Sequence, residues 1–162
     1  MRSPSSNPSV AIHWVTPRLA GGAFPRDRAP ELVKAGITHV LNVSSTAPKH
    51  YGDAGGLTHV VWRPINDLSV IPTDVALACI DDIHAMLSRP RTRVYVHCLA
   101  GQNRSPTIVW LYLVARGFTA EEARKKIELA WPGSMPAHPQ LIDSDLVATV
   151  RSHFKRLSNK RL

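Results

Sequence analysis

The sequence has 162 residues and 17.8 kDa, of which 44% are hydrophobic and 20% charged. That balance suits one globular domain with a real core and argues against a disordered chain. No apolar run reaches the roughly 20 residues of a membrane-spanning helix. Two cysteines, Cys79 and Cys98, are too few for a disulfide scaffold, and a net charge of +8 fits either a solubilising excess or attraction to anions.

Residues 1–10 open with Ser, Pro and Asn and carry no apolar h-region. They are expected to be a flexible leader rather than an export signal, which makes the reducing cytoplasm the expected compartment. Residues 12–15 and 18–22 predict short strands around the Thr16-Pro17 turn. A short helix is predicted over 29–35, ended by Gly36. The β-rich run 38–43 predicts a strand, 47–56 a loop, and 58–62 another strand. Residues 63–72 predict a loop carrying Asp67. Apolar residues at Val75, Leu77, Ala78, Ile80, Ile83, Met86 and Leu87 form a helical stripe over 74–87, with Cys79 inside it as a small hydrophobe. A buried strand at 93–96 leads towards 106–115, which is apolar nearly all round and predicts a central buried helix. Thr119-Ala120-Glu121-Glu122 is a capping box opening a helix to about Ala130. Pro132 and Gly133 break it, and a last helix is predicted from Gln140 to about Phe154. Residues 151–162 hold Arg151, Lys155, Arg156, Lys160 and Arg161 with no acid. This segment reads as a basic, solubilising tail, or else as a patch for an anionic partner. No repeat or interior linker is present, so 11–150 forms one domain. Strands alternating with helices predict an α/β layer fold, with ligands at the carboxyl ends of the strands.

Cys98-Leu99-Ala100-Gly101-Gln102-Asn103-Arg104-Ser105 stands where a predicted strand gives way to a helix. The backbone N–H groups of such a turn, from Leu99 to Asn103, can face inward and cradle an anion. The following helix turns the positive end of its dipole to the same point. Gly101 lets the backbone curl, and Arg104 can fold back to hold two oxygens of a tetrahedral oxyanion. The same field favours the thiolate of Cys98, placed beneath the cradle for in-line attack on phosphorus. The Ser105 hydroxyl can hydrogen-bond that sulfur and help it leave. Cys-x5-Arg alone also fits a buried structural cysteine beside a capping arginine. His97 before it, the central glycine and the serine after it tip the pattern towards catalysis. Ester cleavage further needs an acid for the leaving oxygen. Asp67 is the candidate, with Asp53, Asp74, Asp81 and Asp82 as rivals.

His97-Cys98-x-x-Gly101-x-x-Arg104-Ser105 resembles the signature of the protein tyrosine phosphatase superfamily, and more closely that of its dual-specificity branch. Arg18-Leu19-Ala20-Gly21-Gly22 resembles that branch's early strand, and Gly36 to Val43 is similar to its "Gly-Ile-x-x-Val-Leu-Asn" strand. Pro64-Ile65-Asn66-Asp67 resembles its general-acid loop, 31 residues ahead of Cys98, and Glu121 to Ile127 its helix after the central one. The likeness spans about residues 12–150. It implies a single-domain α/β fold: a short, mostly parallel or mixed central sheet flanked by helices. It also implies hydrolysis of phosphomonoesters through a phosphocysteine, with no metal and no cofactor. In that scheme Cys98, Arg104, Asp67 and Ser105 are catalytic, Leu99 to Arg104 bind phosphate, and His97 supports the loop. A shallow pocket implies phosphotyrosine and phosphoserine or phosphothreonine in proteins as substrates.

Some positions depart from the family. Leu99, Gln102 and Asn103 are neutral where relatives acting on inositol phospholipids often carry Lys. Asn103-Arg104 is reminiscent of RNA 5′-phosphatases in the superfamily. With the net charge of +8, this keeps RNA ends, glucans or another nonprotein phosphate as the alternative substrate class. Phospho-binding without turnover ranks lower, because both Cys98 and Arg104 are present. Sulfur transfer of the rhodanese kind would leave Asp67 without a role. Trp131-Pro132 stands where Arg-Pro is common.

Overall fold

The computed structural model describes residues 9–51, 57 and 59–159. Five four-residue strands form one sheet: β1 (His13–Thr16), β2 (Leu19–Gly22), β3 (His39–Asn42), β4 (His59–Trp62) and β5 (Val94–His97). Their order across the sheet is β1-β2-β5-β3-β4. β1 runs antiparallel to β2, and every other pairing is parallel. Five helices complete the domain: α1 (Ala29–Lys34), α2 (Thr73–Leu87), α3 (Arg104–Ala115), α4 (Ala120–Ala130) and α5 (Ser144–Asn159).

Strands covered on both faces are buried along their whole length, as β2, β3 and β5 are here, with His39, Asn42 and His97 as the buried polar members. Alternation divides their side chains between two cores. Leu19, Leu41, Val94 and Val96 meet α2, α3, α4 and α5 on one face. Ala20, Val40 and Tyr95 meet α1 and Tyr51 on the other. α2 buries Ala76, Cys79, Ile80, Ile83 and Met86, a stripe at helical spacing. Cys79 packs there as a small hydrophobe, and burial pushes its thiol pKa up. All twelve residues of α3 are buried, so it is the helix around which the others pack. The predicted capping box is formed: Thr119 Oγ1 accepts from Glu122 N–H, and Glu122 accepts from Thr119 N–H. Such a cap stabilises a helix by about 1 kcal/mol.

Most boundaries shift by a residue, and three segments differ by more, each for a local reason. α3 starts at Arg104, because Pro106 is tolerated in a first turn that needs no donor there. The expected loop at 47–56 contains a short 3-10 helix, Pro48–Tyr51; residues 52–56, with Asp53, lie outside the described part. α5 starts at Ser144 rather than Gln140. Asp143 Oδ1 accepts from Leu146 N–H at 2.8 Å and caps the helix, while Leu141 N–H turns back to His138 O. α5 then continues to Asn159, through the first part of the segment read as a tail.

Trp131 also finds its reason in the fold. Its ring stacks on His13 at 5.5 Å and lies so close to β2 that a Cβ on Gly21 would collide with it. The indole thereby covers the end of the sheet beside the cysteine loop.

Candidate active site

The strands β2, β3 and β5 all point their carboxyl ends at the loop 98–103, which lies between β5 and α3. Two carbonyls of this loop are turned outward and pinned. Leu99 O accepts from Phe24 N–H at 3.0 Å, and Gln102 O accepts from Met135 N–H at 2.7 Å. Gly101 takes φ +72, and a Cβ there would stand 2.6 Å from the Gly22 carbonyl carbon. Only glycine fits both the angle and the approach. Asn103 occupies the N-cap of α3 without a side-chain cap bond, so first-turn N–H groups stay free for an anion.

Cys98 is buried at the base of this loop. Its Sγ accepts from Gly101 N–H at 3.3 Å and lies 3.2 Å from Ser105 Oγ. The Ser105 hydroxyl also approaches Gly22 O at 3.4 Å, so its single proton has two acceptors to choose from. Once the sulfur is charged, the sulfur is the stronger one.

Arg104 folds back as anticipated. Its Nη1 donates to Ile65 O at 3.1 Å, and its Nε is buried with no hydrogen-bond partner among the described residues. A buried guanidinium donor left unpartnered is costly, and an anion in the loop would satisfy it. Asp67 Oδ1 is 4.0 Å from that Nε, beyond hydrogen-bond reach, on a side chain 40% exposed. The Asp67 loop is fastened at both ends: Ile65 N–H donates to Val43 O, and Ile71 N–H to Leu141 O. Arg104 therefore touches the acid's loop and the cysteine's loop together. The described rivals lie on α2. Asp82 pairs with Arg63 and Asp81 with His153, each at 2.8 Å, while Asp74 sits in the first turn of α2.

His97 is fully buried and supports the loop from below. Its Nδ1 donates to Cys98 O at 2.9 Å, which leaves Nε2 to accept from Tyr51 O–H at 2.5 Å. The acceptor carbonyl at Nδ1 sets this neutral tautomer. Phe24 meets the ring edge-on at 4.9 Å. Tyr51 is the site residue that sequence reasoning missed. Its only signal is a lone aromatic in a polar, glycine-rich stretch.

Burial lowers the His97 pKa from 6.5 to about 4. The folded state thus resists a proton that the unfolded chain accepts. The stability this supplies is complete above pH 6.5 and is lost as pH falls towards 4. It amounts to about 3 kcal/mol, at about 1.4 kcal/mol per unit. Urea midpoints of the wild type should therefore fall between pH 7 and 4.5 more steeply than those of His97→Gln. Parallel declines in the two proteins would remove His97 as the cause.

Residues 22–141 match the family model described as "Dual specificity phosphatase, catalytic domain". The chain is 37% identical over 107 residues to rat dual specificity protein phosphatase 26, covering 60% of this chain and 48% of that protein. It is 33% identical over 127 residues to human dual specificity protein phosphatase 13B, covering 71% and 61% respectively. The chain thus spans about half the length of the rat relative. Among solved structures, a mouse dual specificity phosphatase complexed with zinc tungstate superposes with a TM-score of 0.70 at 22% identity, over 99% of this chain and 96% of that one. Human DUSP28 superposes with a TM-score of 0.66 at 19% identity, over 93% and 99%. At these identities the structural matches speak for the fold.

Proposed function

The chain belongs to the dual specificity phosphatase family, and on that premise we propose that it removes phosphate from phosphotyrosine and phosphoserine or phosphothreonine in proteins through a phosphocysteine on Cys98. The observation that carries this reading is the unpartnered, buried Arg104 Nε beside a loop whose sulfur already accepts an N–H and faces a hydroxyl. The Cys98 thiolate attacks phosphorus, and the bond from phosphorus to the leaving oxygen breaks. Arg104 and the loop N–H groups hold the nonbridging oxygens as charge spreads over them. Asp67 gives its proton to the leaving oxygen. Its carboxylate then takes a proton from the water that attacks the phosphocysteine, and the Ser105 hydroxyl stabilises the departing sulfur.

The rim supports a protein substrate. Leu68 and Val70 on the acid loop, Leu99 beside the cysteine and Met135 on the Gln102-bound loop are four of the seven large hydrophobic side chains exposed among the described residues. Apolar surface gathered at one site marks a contact with a partner. It suits a peptide with aliphatic or aromatic residues flanking the phosphoresidue better than an inositol ring with several phosphates. Both cysteines are free, which accords with a reducing compartment, and we assign the activity to the cytoplasm.

The test is a panel of phosphotyrosyl, phosphoseryl and phosphothreonyl peptides with Leu or Lys flanks, set against 5′-triphosphate RNA, phosphoglucan and inositol phosphates. We expect kcat/KM to be highest for the Leu-flanked peptides. Turnover confined to RNA or glucan would replace the protein reading.

A further inference from the structure

A groove of about 650 Å³ lies on the far side of the molecule, between the α3–α4 turn and α5. Val114, Phe118 and Phe154 supply apolar lining, and Arg116, Arg151 and Lys155 supply charge. No carboxylate among the described residues lines it. The nearest acids along the chain are engaged on α4: Glu121 pairs with Lys125 at 3.8 Å, and Glu122 is tied back onto the Thr119 N–H by the capping box. None of the three cations takes part in an ion pair among the described residues. Arg116 stands over Phe154 with its Cζ 5.0 Å from the ring centroid, so the groove joins a buried ring, a guanidinium and the exposed Phe118.

Service to helix ends does not explain these charges. The last carbonyls of α3 are already taken: Phe118 N–H donates to Leu113 O and Gly117 N–H to Val114 O, a closed C-terminal turn. Arg151 lies two turns before the end of α5, too early to serve its dipole. The volume is in the range of built binding sites. Three cations around an apolar floor match a ligand that brings carboxylates and a large hydrophobic side chain together.

We infer that this groove docks an acidic protein segment carrying an aromatic or aliphatic residue, with the apolar side chain between Phe118 and Phe154 and its carboxylates on Arg116, Arg151 and Lys155. The twelve residues of α3 separate the groove from the phosphate loop by about 17 Å, at about 1.5 Å per residue. Docking there leaves the catalytic loop open. A substrate held in this way would present its phosphoresidue at raised effective concentration. The inference is independent of which phosphoresidue is cleaved.

The probe is a fluorescein-labelled peptide, Asp-Glu-Glu-Phe-Glu-Leu, titrated by anisotropy with the full chain. Its affinity is expected to fall about tenfold in the Arg151→Glu, Lys155→Glu double variant, since two exposed attractions become repulsions. Replacing the peptide's Phe by Ser should weaken it by a similar factor. Saturating orthovanadate should leave binding unchanged, and para-nitrophenyl phosphate turnover should be equal in both proteins. Undiminished binding by the double variant, or displacement by orthovanadate, would overturn the inference. So would equal affinity for the Phe-free peptide or for an RNA of matching charge, since either makes the groove a general anion surface.

Discussion

Cys98→Ser is expected to lower turnover of para-nitrophenyl phosphate by at least about 10⁴-fold, the scale on which removal of a covalent nucleophile acts. The substitution is close to a pure change of chemistry. The serine oxygen inherits both neighbours of the sulfur, the Gly101 N–H and the Ser105 hydroxyl. A hydroxyl ionises far less readily than a thiol, so the cradle meets a weak nucleophile in the same place. The thermal midpoint should move little, because one small buried atom replaces another. Phosphate binding should persist, because Arg104 Nη1 stays on Ile65 O and Nε keeps its need for a partner. The pairing of lost turnover with retained anion binding separates a nucleophile from a structural cysteine. A variant that keeps its turnover would show that Cys98 is not the nucleophile.

What could be read in advance was whatever lies close together along the chain. The loop from His97 to Ser105 is contiguous, and its glycine, arginine and serine have meaning at fixed offsets. The strands were legible because short β-rich runs stand between turn signals. Cys79 was legible as core because helical spacing put it on the buried stripe of α2. What escaped depends on distant partners. Tyr51 meets His97 across 46 positions, and nothing local distinguishes it from any loop tyrosine. Trp131 is explained only by His13 and Gly21, from the other end of the chain. At α5, the helix expected from Gln140 starts instead behind the cap that Asp143 provides. The basic groove assembles from the α3–α4 turn and α5, so along the chain Arg151 and Lys155 read as part of a basic tail and nothing local joins Arg116 to them.

Asp67→Asn is the more discriminating experiment, because it tests a role rather than a presence. For an ester with a poor leaving group, such as an alkyl or phosphoseryl phosphate, kcat should fall by about 10²-fold or more, the usual worth of a general acid. For para-nitrophenyl phosphate, whose leaving oxygen needs little help, the loss should be roughly tenfold or less. The variant is conservative in structure. The Asn Oδ1 can still accept from Leu68 N–H, as Asp67 Oδ1 does at 3.0 Å, and the loop's anchors at Ile65 and Ile71 are backbone bonds. The charge lost from beside Arg104 is a weak contact, 4.0 Å from an exposed carboxylate, worth well under about 1 kcal/mol. If Asp67 only steadied Arg104, both substrates would suffer alike and mainly in KM, because Arg104 meets the phosphate that they share. If it protonates the leaving oxygen, the loss tracks the leaving group and falls on kcat. Equal losses for the two esters would send the search for the acid to another residue, since Asp74, Asp81 and Asp82 lie on α2 with the latter two engaged by His153 and Arg63.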